Sequence, residues 1–271
     1  MALTILFIGC GNMGAAIAGG AVRHLGGARL VALDPDVARA RSLLPEGAAV
    51  DVFDRPEALQ GLAPDLVVLG VKPQSFSGLA PEVMAILTKA PVVSIMAGVP
   101  LARLTSAIGH DRVIRVMPNL PALVGAGMSL GCRAPGLQDD RTDALVAALF
   151  SAIGRFDWSA DENAFEQANP VFACGPGFVF AIAEQMILGA VANGVPPELA
   201  DRLVRQTLFG AAKMLAEDAR DAQTLKRAVS SPGGTTLAGL SVLEAPGALP
   251  GLMARTYGAA HARALELAAL S

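Results

Sequence analysis

The chain places Gly9-Cys10-Gly11-Asn12-Met13-Gly14 directly after an apolar run, Ala2 to Ile8, and directly before an alanine-rich stretch. That context turns a common short pattern into a constraint on the fold. The run reads as a first buried strand and the stretch as a helix beginning near Met13. The first glycine permits the tight turn between them, the second lets a pyrophosphate approach the backbone, and the third lets helix pack close on strand. The helix N-terminus then presents unpaired N–H groups to the anion. A glycine-rich turn that binds nothing has the same pattern, and Asp34 bears on the choice. It ends the next apolar run, at the spacing of about 20 residues where a carboxylate accepts the ribose hydroxyls of NAD and repels a 2′-phosphate. The alternative is a turn-starting Asp before Pro35. Arg39 and Arg41 stand near enough to reach a phosphate, so the cofactor is NADH or NADPH, with Asp34 leaning to NADH.

Further short apolar runs, Arg29 to Leu33, Leu66 to Leu69, Val92 to Ile95 and Val113 to Val116, alternate with segments of crossover-helix length. Strands so uniformly apolar suit a parallel sheet covered on both faces. The fold class expected is α/β, a Rossmann-type doubly wound parallel sheet. Gly154 to Trp158 gives a last strand, and after Ser159 the pattern is helical. Pro176 to Asn193 stops at Gly194, and Pro197 to Ala219 opens with a proline. Asp221 to Val229, Thr235 to Leu243 and Ala248 to Leu270 complete an all-α second half. With 271 residues and roughly 150 per domain, the reading is a dinucleotide-binding domain over residues 1–159 and a helical dimerisation and substrate domain over 160–271. The second half is small for a core of its own, so a homodimer is expected.

Composition excludes several classes. Basic and acidic side chains number 21 and 24 and are intermixed, so no basic stripe awaits a nucleic acid. Apolar stretches are interrupted by charges or by Gly and Pro before about 20 residues, so no membrane span is expected. Cys10, Cys132 and Cys174 are odd in number and far apart, which suits reduced thiols, a cytoplasmic location and no metal site. The amino terminus lacks the basic and small-residue features of a signal peptide.

Several separated blocks resemble the pyrroline-5-carboxylate reductases, which carry out the last step of proline biosynthesis. They are the glycine loop with Asn12 and Met13; Val71-Lys72-Pro73-Gln74; Ser94-Ile95-Met96-Ala97-Gly98; Arg115-Val116-Met117-Pro118-Asn119; and Ser231-Pro232-Gly233-Gly234-Thr235-Thr236 with the following Leu237-Ala238-Gly239-Leu240. The resemblance implies that Val71, Lys72 and Pro73 line the cofactor and that Ala97, Gly98 and Asn119 flank its nicotinamide end. It implies that Ser231, Gly233, Gly234, Thr235 and Thr236 bind a cyclic imine carboxylate. Thr236, with Thr235 as the alternative, is implied to stand beside the ring nitrogen as the catalytic residue. It also implies a homodimer, in some members assembled into a larger ring. The last block has an independent physical reading: glycines and threonines before a helix leave amides and a dipole facing a small carboxylate. A Thr N-cap behind a glycine-rich loop reads equally from the residues alone. Lys72 before Pro73 reads as a strand end, Asn119 between prolines as a turn residue, and Arg115 as a strand-end solvent contact.

Reduction of a carbonyl to an alcohol requires a proton donor for the developing alkoxide. The histidines, His24, His110 and His261, stand outside every block, and the lysines are Lys72, Lys89, Lys213 and Lys226. The β-hydroxyacid dehydrogenases share the architecture and carry a lysine on the helix opening the second domain. Here that helix begins Gly175-Pro176-Gly177-Phe178 and has none. A protonated imine is already electrophilic and needs mainly to be held against the nicotinamide.

The chain departs from the family at Phe172-Ala173-Cys174-Gly175-Pro176-Gly177-Phe178, where Ser-Gly-Ser-Gly-Pro-Ala-Tyr is usual. Leu120 replaces a common Thr and Glu166 a common Asp. Neutral repacking is one account and a different cyclic imino acid the other. A dinucleotide-sensing protein without turnover is the competing reading from outside enzymes. Glu184, in an apolar helical segment, is expected to make an ion pair or a subunit contact.

Overall fold

The computed structural model describes residues 3–270. Ala2, which the sequence assigns to the first strand, lies outside them. In chain order the elements are β1 (Thr4–Ile8), α1 (Asn12–His24), β2 (Arg29–Leu33), α2 (Val37–Leu43), β3 (Val50–Phe53), β4 (Leu66–Leu69), α3 (Pro73–Phe76), α4 (Pro81–Leu87), β5 (Val92–Ser94), α5 (Leu101–Ile108), β6 (Val113–Pro118), β7 (Gly127–Arg133), α6 (Asp140–Ser151) and β8 (Gly154–Trp158). The helices α7 (Glu162–Phe172), α8 (Gly175–Ala192), α9 (Pro197–Glu217), α10 (Ala222–Ala228), α11 (Thr235–Leu243) and α12 (Leu249–Leu270) follow.

The strands form one sheet in the order β3-β2-β1-β4-β5-β6-β7-β8. Every pairing is parallel except β6 with β7, which is antiparallel. The expected parallel sheet is therefore parallel-dominated, and β3 and β7 are additional to the strands read from sequence. Alternation along the strands divides the apolar side chains between two cores. Leu6, Ile8, Val31, Leu33, Val67 and Leu69 face one, with Val83 and Leu87 of α4 and Leu104 and Ile108 of α5. Ile5, Phe7, Leu30, Ala32, Leu66 and Val68 face the other, with Ile17 and Ala21 of α1 and Leu149 and Phe150 of α6. Burial on both faces is why these strands are apolar throughout.

The chain divides into two compact units, one running to Cys174 and including the segment from His261 on, the other Gly175–Ala260. The strand pattern ends at β8, but α7 belongs to the first unit: Phe165 is buried in its core, and Ala168 and Phe172 pack against that core. In the second unit α8 packs against α9. None of the side chains of α8 or α11 is buried, and Phe180, Phe209 and Val242 are 57%, 62% and 71% exposed. The helical run 162–192 is long and apolar enough to cross a membrane by length and composition. Within that run Ala173 and Cys174 separate α7 from α8, and Glu184 places a charge in the middle of α8.

Candidate active site

The glycine loop lies at the carboxyl end of β1, in the centre of the sheet. Gly9 adopts φ +92°, and a Cβ there would stand 2.7 Å from the Gly70 carbonyl oxygen, so glycine is required for both conformation and space. Gly14 is buried, and a Cβ on it would meet the Gly9 carbonyl oxygen. Gly11 is different: it is the N-cap of α1, and a Cβ there would find nothing within 4 Å. No side chain caps α1 and its first turn has no acidic residue, so the amides of Asn12 and Met13 and the positive end of the helix face open space. These features fit the pyrophosphate of a dinucleotide.

Asp34 sits at the end of β2, partly buried. Its Oδ2 accepts the Cys10 N–H at 2.7 Å and its Oδ1 accepts the Asp36 N–H at 3.0 Å. Its carboxylate thus fastens the glycine loop to the end of β2. Burial and, second, the Asp34 charge push the Cys10 thiol up to about 11, which keeps it protonated and inert.

The other cofactor candidates gather at the same edge of the sheet. Val71, Lys72 and Pro73 follow β4, and Lys72 is the exposed N-cap of α3. Ala97 and Gly98 lie between β5 and α5, Ala97 exposed and Gly98 at φ +71°. Asn119 follows β6 and is 9% exposed. Its Nδ2 donates to the Phe172 carbonyl and its Oδ1 accepts the Met128 N–H, both at 2.9 Å. Its amide joins the end of β6 to β7 and to the end of α7, which is a larger structural role than that of a turn residue.

Arg115 requires a correction. It is 2% exposed, not a solvent contact at a strand end. Its Nη1 pairs with Oε1 of Glu162 and, at 2.9 Å, with Oε1 of Glu166, and its guanidinium lies 4.8 Å over the Phe165 ring. The longer Glu166, where the family commonly has Asp, makes one of these contacts. A cation inside Val-Ile-Arg-Val-Met needs carboxylate partners, and Glu162 and Glu166, four residues apart on one helix face, were the signal that pointed to them.

In the second unit Gly234 is the N-cap of α11, again with no side-chain cap and no acidic residue in the first turn. The helix starts at Thr235, two residues before Leu237, so neither threonine is its N-cap. Gly233 has φ +71°, and Ser231, Thr235 and Thr236 are exposed on the turn. Phe178 of α8 packs edge-on to Tyr257 of α12, with ring centroids 5.9 Å apart. Phe172 of the altered stretch packs against the core of the first unit, and Glu184 is exposed.

A cavity of about 630 Å³ between residues 56–64 and 82–90 lies by the amino ends of β4 and β5, the opposite edge of the sheet from the glycine loop. His110 is structural, its Nε2 donating to the Leu87 carbonyl at 2.8 Å while Nδ1 accepts the Arg112 N–H.

The comparisons with known proteins match this geometry in both halves. A family model described as NADP oxidoreductase, coenzyme F420-dependent, matches residues 4–98, and one described as pyrroline-5-carboxylate reductase dimerisation matches residues 162–267. The pyrroline-5-carboxylate reductase of Pisum sativum is 36% identical over 97% of this chain and 96% of its own. The chain belongs to the pyrroline-5-carboxylate reductase family. Among solved structures, the pyrroline-5-carboxylate reductase of Coxiella burnetii superposes with a TM-score of 0.88 at 29% identity, covering 98% of this chain and 99% of its own. The pyrroline carboxylate reductase of Plasmodium falciparum, solved with NADP bound, gives 0.78 at 25% identity, covering 98% of each chain. As a pyrroline-5-carboxylate reductase family member, the chain is an oxidoreductase with a Rossmann-type domain followed by a helical dimerisation domain.

Proposed function

We propose that this chain reduces 1-pyrroline-5-carboxylate to L-proline with a reduced nicotinamide dinucleotide. The observation that carries the reading is a repeated one: α1 and α11 each start at a glycine N-cap with no side-chain acceptor and no acid in the first turn. Each presents free amides and a positive dipole end, one in the cofactor domain and one in the helical domain. The first suits a pyrophosphate and the second the carboxylate of a small imino acid.

The bound dinucleotide supplies the hydride. The chain's own part is to hold the imine by its carboxylate on the amides of Gly233, Thr235 and Thr236, in a turn closed by the Gly234 N–H donating to the Ser231 carbonyl at 3.0 Å, and to orient its nitrogen with the Thr236 hydroxyl. The threonine oxygen can accept from a protonated ring nitrogen, and a cationic C=N carbon takes a hydride without a further acid. No histidine stands on either site, in keeping with that economy of proton donors. Gly9, Gly11, Asn12, Met13, Gly14 and Asp34 bind the pyrophosphate and adenosine half. Val71, Lys72, Pro73, Ala97, Gly98 and Asn119 surround the rest. Asp34 favours NADH, because a 2′-phosphate would meet its carboxylate.

The unburied apolar side chains of α8 and α11 support a homodimer as the working form, and the three unpaired cysteines support the cytoplasm. Light scattering of the purified protein reads the mass of the dimer, or of a ring of dimers. Oxidation of NADH and NADPH is to be followed with 1-pyrroline-5-carboxylate, 1-pyrroline-2-carboxylate and the piperideine carboxylates. A preference for the first supports the reading. A preference for another ring assigns the enzyme to that imine, and no oxidation with any of them leaves a dinucleotide-sensing protein.

A further inference from the structure

Residues 95–100 carry Ala97 and Gly98 and connect β5 to α5. The segment is fastened at its start by Ser94 Oγ, which accepts the Met96 N–H at 3.3 Å, and by the Ile95 N–H donating to the Leu69 carbonyl at 3.0 Å. At its other end the Leu101 N–H, the first amide of α5, donates at 2.8 Å to Oε1 of Glu162. No side chain at the N-cap of α5, Pro100, can serve that amide. The acceptor comes instead from the first residue of α7.

Glu162 is itself held. The same Oε1 pairs with Arg115, which stands on β6 in register with Ser94 of β5 and is 2% exposed. Arg115 already has Glu166 at 2.9 Å and the Phe165 ring beneath it. A single carboxylate would neutralise the arginine; the second, that of Glu162, also reaches with the same Oε1 the amide that follows residues 95–100. Four residues further on, just past the end of β6, Asn119 donates to the Phe172 carbonyl, so β6 and the residue that follows it grip both ends of α7.

We propose that Glu162 is a positioning residue: held by Arg115, it fixes residues 95–100 so that they support the nicotinamide ring in the geometry for hydride transfer. This rests on the reading of Ala97 and Gly98 as the nicotinamide end. A misplacement of reacting groups by about 1 Å can cost on the order of 10²-fold in rate, so a loosened segment acts on turnover before it acts on substrate affinity.

The test uses the full-length protein with Glu162→Ala, Glu162→Asp, Glu162→Gln and, as a stability control, Asp143→Ala, which breaks the 2.7 Å pair with Arg133 elsewhere in the first unit. Steady-state constants and the deuterium isotope effect from 4-deuterated NADH are measured. Glu162→Ala lowers kcat by roughly 10-fold, leaves KM for the imine within about 2-fold, and raises the isotope effect. Glu162→Asp keeps the charge beside Arg115 but withdraws the oxygen from Leu101, and it behaves like Glu162→Ala even where the latter folds poorly. Glu162→Gln keeps an acceptor for the Leu101 N–H and restores most of kcat. Asp143→Ala lowers the melting temperature without changing the isotope effect. Wild-type kcat and isotope effect in Glu162→Asp overturn the proposal, as does Glu162→Gln matching Glu162→Ala, or Asp143→Ala reproducing the isotope effect. If the wild type reduces no cyclic imine, the functional reading fails by itself. The proposal is then decided by the nicotinamide fluorescence of bound NADH, which must change in Glu162→Asp and return in Glu162→Gln.

Discussion

The Asp34 carboxylate closes the glycine loop onto β2, its Oδ2 accepting the Cys10 N–H at 2.7 Å. One side chain therefore shapes the loop and also carries the charge proposed to stand beside the adenosine ribose. A hydrogen bond to a charged acceptor contributes about 1.5–3 kcal/mol, so the loop is ordered before any dinucleotide arrives. On that proposal, cofactor preference and loop stability are coupled through this residue.

Asp34→Ser separates the two effects. The serine cannot span to the Cys10 amide, and stability falls by about 1–3 kcal/mol, the cost of leaving a buried donor unpaired. With the negative charge gone, the ratio of kcat/KM for NADPH to that for NADH rises by roughly 5-fold or more, one unit charge near a phosphate being a difference of at least about 1 kcal/mol. Parallel titrations with the two cofactors and urea unfolding read both. An unchanged ratio removes Asp34 from cofactor selection.

The three glycines of the loop respond differently to the same substitution. Gly9→Ala meets both the Gly70 carbonyl and a φ of +92°, and costs about 1–3 kcal/mol or more. Gly11→Ala meets nothing within 4 Å and a backbone angle of −71°, so stability changes by less than about 0.5 kcal/mol. What it fills is the space over the α1 N-terminus, and KM for the dinucleotide rises by roughly 10-fold, the effect of about 1.4 kcal/mol of lost binding. Equal KM values in Gly11→Ala and wild type count against pyrophosphate binding there.

Much of this was legible in the sequence because it depends on local rules. β1, β2 and β4 are apolar on both faces, and the glycine pattern lies exactly where a strand must become a helix. β7 was not legible: Gly127-Met-Ser-Leu-Gly-Cys-Arg contains two glycines, one of which leaves room for the Phe156 and Trp158 rings that pack over it. Strand propensity there is overridden by cross-strand packing. Arg115 was misread for a related reason. Its environment is set by Glu162 and Glu166, about 50 residues further on, and only the β6–α7 packing brings them together. The glycine starts of α1 and α11 follow from residues next to them in the chain, but the acceptor that serves α5 comes from a distant helix and follows no local pattern.

Cysteine reactivity gives a prediction with a defined pH window. Burial pushes Cys10 and Cys132 up to about 11 from an ordinary value of 9.0. At pH 8 each is about 0.1% thiolate, and both side chains are buried while that of Cys174 is exposed. Iodoacetamide therefore labels the exposed Cys174 at least about 10-fold faster than either, as read by peptide mass spectrometry. The raised values also mean that these two thiols contribute stability that is complete below pH 9 and is lost as the pH climbs toward 11. Cys10→Ala flattens part of that alkaline loss, and a native protein whose Cys10 is alkylated first at pH 8 contradicts the assignment.

The turn before α11 carries the proposed substrate site. Thr235 and Thr236 are both exposed in its first turn, and neither caps the helix, since Gly234 occupies that position. Their hydroxyls are accordingly free of the local duty that usually explains a threonine at a helix start. Thr236→Ala removes the oxygen proposed to orient the imine nitrogen but leaves the amides proposed to hold the carboxylate. Turnover falls by roughly 10²-fold, the scale of a lost orienting contact, while KM for NADH stays within about 2-fold. Thr236→Ser, which keeps the oxygen, recovers at least about a third of the rate, and Thr235→Ala has the smaller effect of the two alanine variants. If instead Thr235→Ala is the one that abolishes turnover, the orienting hydroxyl is one residue earlier in the same turn, and the carboxylate is gripped from a correspondingly rotated position on the α11 amides.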